Sequence, residues 1–378
     1  MTKAAELAKM GEVLTNSHIG GRRNIIINGD FQCWQRGTSA TNAANNFLAD
    51  RFRTNENTDG AWTVEQSSDH PTGAGFSLKS QVTTADTSIG SGQYNYLHQK
   101  IEAQNLQGLN YGTSDAKDFT LSFWVKSNKT GTYCIVFRKF DNTTYHLVHE
   151  YTIDSANTWE KKIITITPTA GSTSLITASG GAFDNNNGSG FQIGWILSMG
   201  SLLNGATNNT WTATTSHYAT TNQVNWTDST SNNFYLSQVQ LEIGSVATPF
   251  ELRSFGEELE LCKRYFQKTG NVSGNAYTPL TPYFDAATTS DGYCPIPLRP
   301  KMRLASAIAV SHSGVGELGL SIGTGTSAVS AVALQAAQSG EDFITIKFTS
   351  SDTLTQYRPM RVYANNDATA FIAFDAEL

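Results

Sequence analysis

Between Phe119 and Lys126 apolar and polar side chains alternate without a break. Phe119, Leu121, Phe123 and Val125 fall on one side, and Thr120, Ser122, Trp124 and Lys126 on the other. A period of two is that of a strand with one face buried, because successive side chains of an extended chain point to opposite sides. Tyr133, Ile135 and Phe137 repeat the pattern, and Leu147 to Ile153 carry it again. No long helical periodicity intervenes between Asn24 and Arg253, so a parallel α/β sheet is not expected. The spacing predicts an antiparallel sandwich.

Two segments bracket this region. Asn24 to Thr38 reads NIIINGDFQCWQRGT, in which Ile25 to Ile27 run straight into Asn28-Gly29. An apolar strand is expected to stop there, at a pair suited to positive φ. Asn233 to Arg253 reads NFYLSQVQLEIGSVATPFELR, where Phe234 and Leu236 alternate, then Val239 and Leu241, with a phase slip between them. A bulge is the usual cause of such a slip, and Gly244 and Pro249 end the run. Pairing of Asn24–Ile27 with Phe234–Leu241 would close the sandwich.

Together these segments resemble the opening and closing strands of a domain widespread in phage tail-fibre and virion appendage proteins, itself similar to a carbohydrate-binding-module jelly roll. The resemblance also takes in Leu48-Ala49-Asp50-Arg51-Phe52, Phe119 to Ser127, Asn157-Thr158-Trp159-Glu160 and Cys262-Lys263-Arg264-Tyr265-Phe266. YCPIPLRPKMR, followed at the end by FIAFDAEL, is similar to the β-domain that often comes next in these phage proteins. The resemblance implies a non-enzymatic virion structural protein, part of a tail fibre or tail appendage. Its implied partners are other tail or portal-proximal virion proteins, further copies of itself in a homotrimer, and host surface glycans. A capsid fibre or decoration protein, a secreted carbohydrate-binding module and a glycan-degrading depolymerase are the alternatives.

Composition fits that class. The chain has 378 residues, of which 15% are charged and 39% hydrophobic, with 32 glycines. Asn, Thr, Ser and Gly take the place of the usual surface Lys and Glu, which suits strands and turns. A net charge of −6, with no basic cluster beyond Arg22-Arg23, argues against nucleic acid as a partner. No run approaches the roughly 18 apolar residues of a membrane span, and no signal-peptide core opens the chain, so membrane insertion is not expected. The expected place of synthesis is a host cytoplasm, and the destination the virion.

The domain plan has four parts: an N-terminal helical arm (1–20), a jelly-roll β-sandwich (21–253), a short helical linker (254–268) and a smaller C-terminal β-sandwich (269–378). Thr2 to Leu14 form the arm's helix, with Leu7, Met10, Val13 and Leu14 as virion-anchor residues. So small an apolar face is marginal in isolation and is expected to dock on a neighbour. Glu257 to Phe266 is the second helix, with acids in its first turn and Lys263 and Arg264 in its last. Later strands are expected around Tyr283-Phe284, Ile296–Leu298, Ala307–Val310, Phe343–Phe348, Met360–Tyr363 and Phe371–Phe374. Pro295, Pro297 and Pro300 confine their segment to a sheet edge or an irregular entry.

Signs of catalysis are sparse. Cys33, Cys134, Cys262 and Cys294 show no zinc spacing and fit four free thiols packed as small hydrophobes. His146 and His149, three apart on a strand, point to opposite faces. Gly314 to Gly319 satisfies G-x-G-x-x-G literally, but no helix can follow, so it is a glycine-rich turn. A glycosidase needs two carboxylates roughly 5 to 9.5 Å apart. Asp141, Glu150, Asp184 and Asp228 are scattered, and the sequence brings no two of them together. Several sugar-binding jelly rolls hold a structural calcium near the first strand. Asp30 is the one matching ligand, but Gln32 and Gln238 stand where carboxylates would be expected, so neither metal nor cofactor is expected.

Sugar binding is more plausible. From Asn204 to Asn233, 19 of 30 residues are Asn, Thr or Ser, yet Trp211, His217, Tyr218 and Trp226 sit among them. Aromatic rings can stack on a pyranose while amides take up its hydroxyls, making Trp211, Tyr218 and Trp226 candidate glycan contacts. The competing reading is that the rings pin a long loop to the sandwich. Trp124, on the polar face of its strand, is a fourth candidate. Trp34, Trp159 and Trp195 are assigned to the core or to turn packing.

Overall fold

The computed structural model describes residue 3 and residues 23–41, 46–169, 173–270, 275–304, 308–322, 325–340 and 342–378. Leu7, Met10, Val13 and Leu14 of the expected N-terminal helix lie outside the described residues. The chain forms two compact units that divide between Glu258 and Leu259.

The first unit is an antiparallel β-sandwich of jelly-roll type. Its strands are β1 (Ser39–Thr41), β2 (Arg53–Asn57), β3 (Ala61–Ser67), β4 (Ser77–Thr84), β5 (Tyr94–Glu102), β6 (Phe119–Ser127), β7 (Gly131–Lys139), β8 (Tyr145–Ile153), β9 (Glu160–Ile166), β10 (Ser189–Met199) and β11 (Asn233–Ile243). One sheet has the order β1-β3-β4-β11-β6-β9 and the other β2-β5-β10-β7-β8. The alternation in the sequence decides which side chains meet between them. Phe119, Leu121, Phe123 and Val125 of β6 and Tyr133, Ile135 and Phe137 of β7 are fully buried there. The edge-on contacts Phe123–Trp195 (6.0 Å) and Phe119–Phe137 (5.1 Å) join the two layers.

The phase slip in β11 is a bulge: its register with β6 shifts between Ser237 and Gln240, and Gln238 takes φ 47°. Asn24–Ile27 lies along β11, as expected, but not as a regular strand. Ile25 N–H donates to Leu241 O (2.9 Å) and Val239 N–H to Gly29 O (2.7 Å). Between those bonds side chains replace the ladder. Asn24 Nδ2 donates to Val239 O (3.0 Å), while its Oδ1 accepts from Leu241 N–H (3.1 Å) and Ile26 N–H (3.0 Å). Gln99 of β5 grips Ile27 at both its N–H (3.0 Å) and its carbonyl (2.8 Å). Asn28, at φ 61°, does the same for Cys33, at 2.9 Å each way. Gly29 serves close approach: a Cβ there would lie 2.1 Å from Val239 O.

The remaining polar groups of this segment go to the far end of the unit. Glu251 accepts from Asn24 N–H (2.6 Å) and Glu258 from Asn28 N–H (2.5 Å), while Arg253 donates to Ile26 O (3.0 Å) and Asn24 O. Arg253 and Glu258 pair at 3.3 Å, with side chains 5% and 6% exposed. Burial pushes the Glu258 carboxyl above its ordinary range, against the opposing pull of Asn28 N–H and Arg253.

Helix α2 (Phe255–Lys263), the successor of a five-residue α1 (Thr173–Thr177), begins two residues before the expected start. Ser254 and Glu257 form a capping box: Glu257 N–H donates to Ser254 Oγ (3.3 Å), and Ser254 N–H donates to the Glu257 carboxylate (3.1 Å). It also stops earlier, because Phe266 already belongs to a strand.

The second unit has strands β12 (Phe266–Gly270), β13 (Phe284–Asp285), β14 (Asp291–Pro297), β15 (Ala309–His312), β16 (Leu318–Ser321), β17 (Thr326–Leu334), β18 (Phe343–Ser350), β19 (Pro359–Ala364) and β20 (Phe371–Asp375). A sheet of order β13-β19-β16-β17-β18-β14 and a three-stranded sheet β12-β20-β15 supply one core, with Leu320, Ile346, Phe348, Val362 and Ile372 buried. Pro295 and Pro297 lie on β14, which is an edge strand, as their missing N–H groups require. Gly314–Gly319 passes through a short 3-10 turn into β16 and opens no α-helix. All four cysteines are buried and outside any disulfide.

All seven tryptophans lie before residue 227, so their fluorescence reports on the first unit alone. Arg253→Met, which strands a buried carboxylate and two carbonyls, is expected to destabilise that unit by about 3–5 kcal/mol in urea unfolding followed by tryptophan emission. Glu258→Gln keeps an acceptor for Asn28 N–H and should cost less. Equal, negligible losses in both variants would show that this junction does not hold the unit together.

Candidate functional site

Loop residues 200–225 cross the outer face of the five-stranded sheet and cover part of it. His146 and Thr212 exchange backbone bonds (2.9 and 2.8 Å), Asn209 N–H donates to Val148 O (2.7 Å), and Gln223 Oε1 accepts from Cys134 N–H (2.7 Å). Beneath the loop, Cys134, Val136, Val148, Ile196 and Ala219 form a small apolar cluster, with Leu203 and Tyr218 packed against it. Glu150 holds the loop in place by accepting from Thr220 (2.5 Å) and Asn222 (3.1 Å).

Two rows of outward-facing residues border this cover. In one, Arg53, His98, Gly194, Val136 and Val148 are successive cross-strand neighbours; in the other, Lys100, Gln192, Arg138 and His146. Tyr96 and Tyr218 form the rim, stacked at 5.9 Å with planes 28° apart. Asn55 Nδ2 donates to Tyr96 Oη (2.5 Å), and Arg138 Nη1 donates to Tyr218 Oη (3.0 Å). The Arg138 guanidinium lies 4.5 Å from the Phe140 ring centroid, and Lys100 Nζ lies 5.3 Å from the same ring. Both cations therefore lie against one aromatic ring.

Burial, reinforced by Lys100, Arg53, Arg51 and Arg138, depresses His98 to about 3, so it is a neutral imidazole. Burial, then Arg138, brings His146 down to about 4. Burial holds Tyr96 up at about 12. His98 Nδ1, Gln192 Nε2 and Arg138 Nε are buried without a hydrogen-bond partner. The face thus offers planar rings, neutral polar groups and fixed cations.

Of the four candidate glycan contacts read from the sequence, only Tyr218 belongs to this face. Trp211 and Trp226 do not: they are 1% and 0% exposed. Trp211 packs against Tyr111 and Phe191 (6.4 Å each), and Trp226 meets Trp62 edge-on at 5.8 Å. These rings are core, and a glycan cannot reach them. Their polar sequence neighbours are turns that dip a single side chain into the sandwich. Trp124 is half-buried on the outer face of the other sheet, opposite Ser237 and Lys161. On that face Lys126 lies over Tyr235 (4.3 Å) and Trp159 (5.2 Å), but Asp69 pairs with Lys126, and Glu65 with Lys79 (2.7 Å). Lys126 and Lys79 are thus already paired with carboxylates.

The other expectations separate in the same way. Asp141 and Asp184 do come together, with Asp184 N–H donating to the Asp141 carboxylate (3.1 Å), whereas Asp228 pairs with Lys129 (2.5 Å) and Glu150 serves the loop. Asp30 is buried, bonded to the Gln32 amide, and burial raises its carboxyl. Among the described residues no group of three His, Cys, Asp or Glu gathers that could hold a metal ion. Sequence reasoning missed Arg53, Tyr96, His98, Lys100, Arg138 and Gln192. Their signal was weak: polar residues at every second position of strands that otherwise read as apolar.

No family model and no curated protein sequence matches this chain. Among solved structures, it is similar to the enzymatically active domain of tailspike protein 4 of bacteriophage CBA120, at 14% identity and a TM-score of 0.30, over 58% of this chain and 21% of that one. It is also similar to a family 11 carbohydrate-binding module from Clostridium thermocellum in complex with a β-1,3-1,4-mixed-linked tetrasaccharide, at 13% identity and a TM-score of 0.28, over 56% and 98%. A family 16 carbohydrate-binding module aligns at 14% identity and a TM-score of 0.22, over 47% and 84%.

Because Trp226 fills the space beside Trp62 and does not face solvent, Trp226→Ala should destabilise the first unit by about 3–5 kcal/mol in chemical denaturation. A variant with unchanged stability would contradict its place in the core.

Proposed function

We propose that this protein is a non-catalytic structural component of a bacteriophage virion, in a tail fibre or tail appendage, and that the outer face of its five-stranded sheet binds glycans on the host surface. The observation that carries the binding reading is Tyr218, half-buried at the limit of the loop and stacked on Tyr96, beside Arg138 and Asn55. Rings of this kind cover the apolar face of a pyranose, and the flanking donors and acceptors take its hydroxyls. The virion reading rests on the resemblance of Asn24–Thr38 and Asn233–Arg253 to the phage appendage domain. In it the N-terminal arm docks on a neighbouring virion protein, and copies of the chain assemble as a trimer.

Tyr218→Ala should weaken glycan binding by roughly 1–3 kcal/mol, measured on a glycan array and then by calorimetry. Tyr218→Phe keeps the ring and should retain most of the affinity. A wild-type protein that captures no glycan would remove the binding reading and leave a structural part.

Deleting Met1–Ser17 should leave a folded protein that fails to enter particles. Normal copy number of the truncated protein in purified virions would remove the arm from the account.

A further inference from the structure

Several cations of the first unit are neutralised by a carboxylate. Lys79 pairs with Glu65, Lys126 with Asp69, Lys129 with Asp228, Lys162 with Asp154 and Glu160, and Arg253 with Glu258. Arg138, like Lys139 and Lys161, forms no ion pair with a carboxylate among the described residues. Its guanidinium is nonetheless held firmly, between the rings of Phe140 and Tyr218, at 4.5 and 5.9 Å, and by the Tyr218 hydroxyl. An arginine fixed in orientation, half-buried and lacking an acid is a site waiting for an anion, because ordering it and drying it are costs met before the ligand arrives.

Its surroundings extend the same charge. Gln192 stands between Arg138 and Lys100 in the sheet register, which puts two cations about 10 Å apart at the usual strand spacing. Arg53 adjoins His98 one row away. Lys100, Arg53, Arg51 and Arg138 all act on the buried His98 in the same sense. This local sign opposes the net charge of −6 of the whole chain.

Resting on the glycan reading above, we infer that the face is selective for acidic sugars: a carboxylate-bearing residue, a uronate or a sialate, bound with its carboxylate on Arg138 and Lys100 and its ring against Tyr218. The guanidinium matches a carboxylate in planar geometry, and Lys100 adds a second, more mobile charge. Gln192, which lies between the two in the sheet register, keeps a buried donor without a partner. Nucleic acid fits less well. Polyphosphate affinity grows with the number of phosphates neutralised, and two or three cations on an acidic protein neutralise few.

The test uses the full-length protein and paired probes that differ in one carboxylate: tetragalacturonate against its methyl ester, and sialyllactose against lactose, with a dT20 oligonucleotide as a further arm. At least one acidic member should bind about tenfold more tightly than its neutral partner, and less tightly as salt rises. Arg138→Met should reduce that affinity by about tenfold or more and collapse the difference within the pair. Lys100→Met should reduce it less, and Lys161→Met, exposed on the other sheet, should leave it unchanged. Melting curves establish that each variant is folded; if Arg138→Met is not, Lys100→Met carries the test alone. Equal binding of acid and ester, or affinity indifferent to both Arg138 and Lys100, overturns the selectivity while leaving glycan binding intact. Binding of none of the sugars overturns both, and Arg138-dependent capture of dT20 in preference to every sugar assigns the face to nucleic acid.

Discussion

The first unit depends on how one irregular segment, Asn24 to Cys33, satisfies its backbone while buried. A chain leaving water must find partners for every N–H and C=O, and a regular strand would find them in a ladder. Here the partners are side-chain amides. Asn24, Asn28 and Gln99 each present a donor and an acceptor in the geometry of a peptide, and each clasps backbone groups as a strand would. What they leave over is taken by Arg253, Glu251 and Glu258, more than 220 residues away in sequence. The consequence is cooperative. The β11 bulge, the close approach at Gly29 and the capped start of α2 are all held by one set of bonds, and each must form for the others to be satisfied.

That arrangement gives the segments bracketing the domain a physical meaning. Asn, Asp, Gln and Arg in NIIINGDFQCWQR and PFELR look like surface residues, yet Asn24, Asn28 and Asp30 are at most 4% exposed. A buried amide or carboxylate is costly unless fully bonded, so this polar composition is tolerated only because the two ends of the domain meet. The second unit has a plainer logic: a core of aliphatic and aromatic side chains between two sheets, with the proline-bearing strand placed at the edge.

The open sheet face follows from what the long loop leaves uncovered. Loop 200–225 is anchored by backbone pairing to β8, by Glu150 and by a small apolar cluster, and Tyr218 marks its limit. Beyond that limit the strands carry polar residues that would be ordinary on any surface, Arg53, Lys100 and Arg138 among them. The opposite sheet also carries aromatic residues beside lysines, but there Asp69 and Glu65 already hold Lys126 and Lys79, whereas Arg138 has no such partner among the described residues.

The sequence alone determined the elements whose signal is periodic. The alternation in β6, β7 and β8 fixes which side chains point inward, since a one-residue shift would turn every apolar group outward. The slip between Leu236 and Val239 marks the bulge, and Pro295 and Pro297 place β14 at an edge. Strands with weaker contrast were not legible. In β16, Gly319 interrupts the pattern, and in β17 the run SAVSAVAL is too uniformly small to show a period. Tertiary structure decided the rest. Trp211 and Trp226 read as exposed aromatics because their neighbours in sequence are polar, whereas burial depends on neighbours in space. Asn24–Ile27 read as a strand because β-branched residues favour one, whereas its backbone partners are amides and an arginine brought there by the fold. Arg53, Lys100 and Arg138 lie on three different strands, and no spacing in the chain announces that they share a face. Only pairing in register sets them side by side, because a sheet joins residues that are remote in sequence.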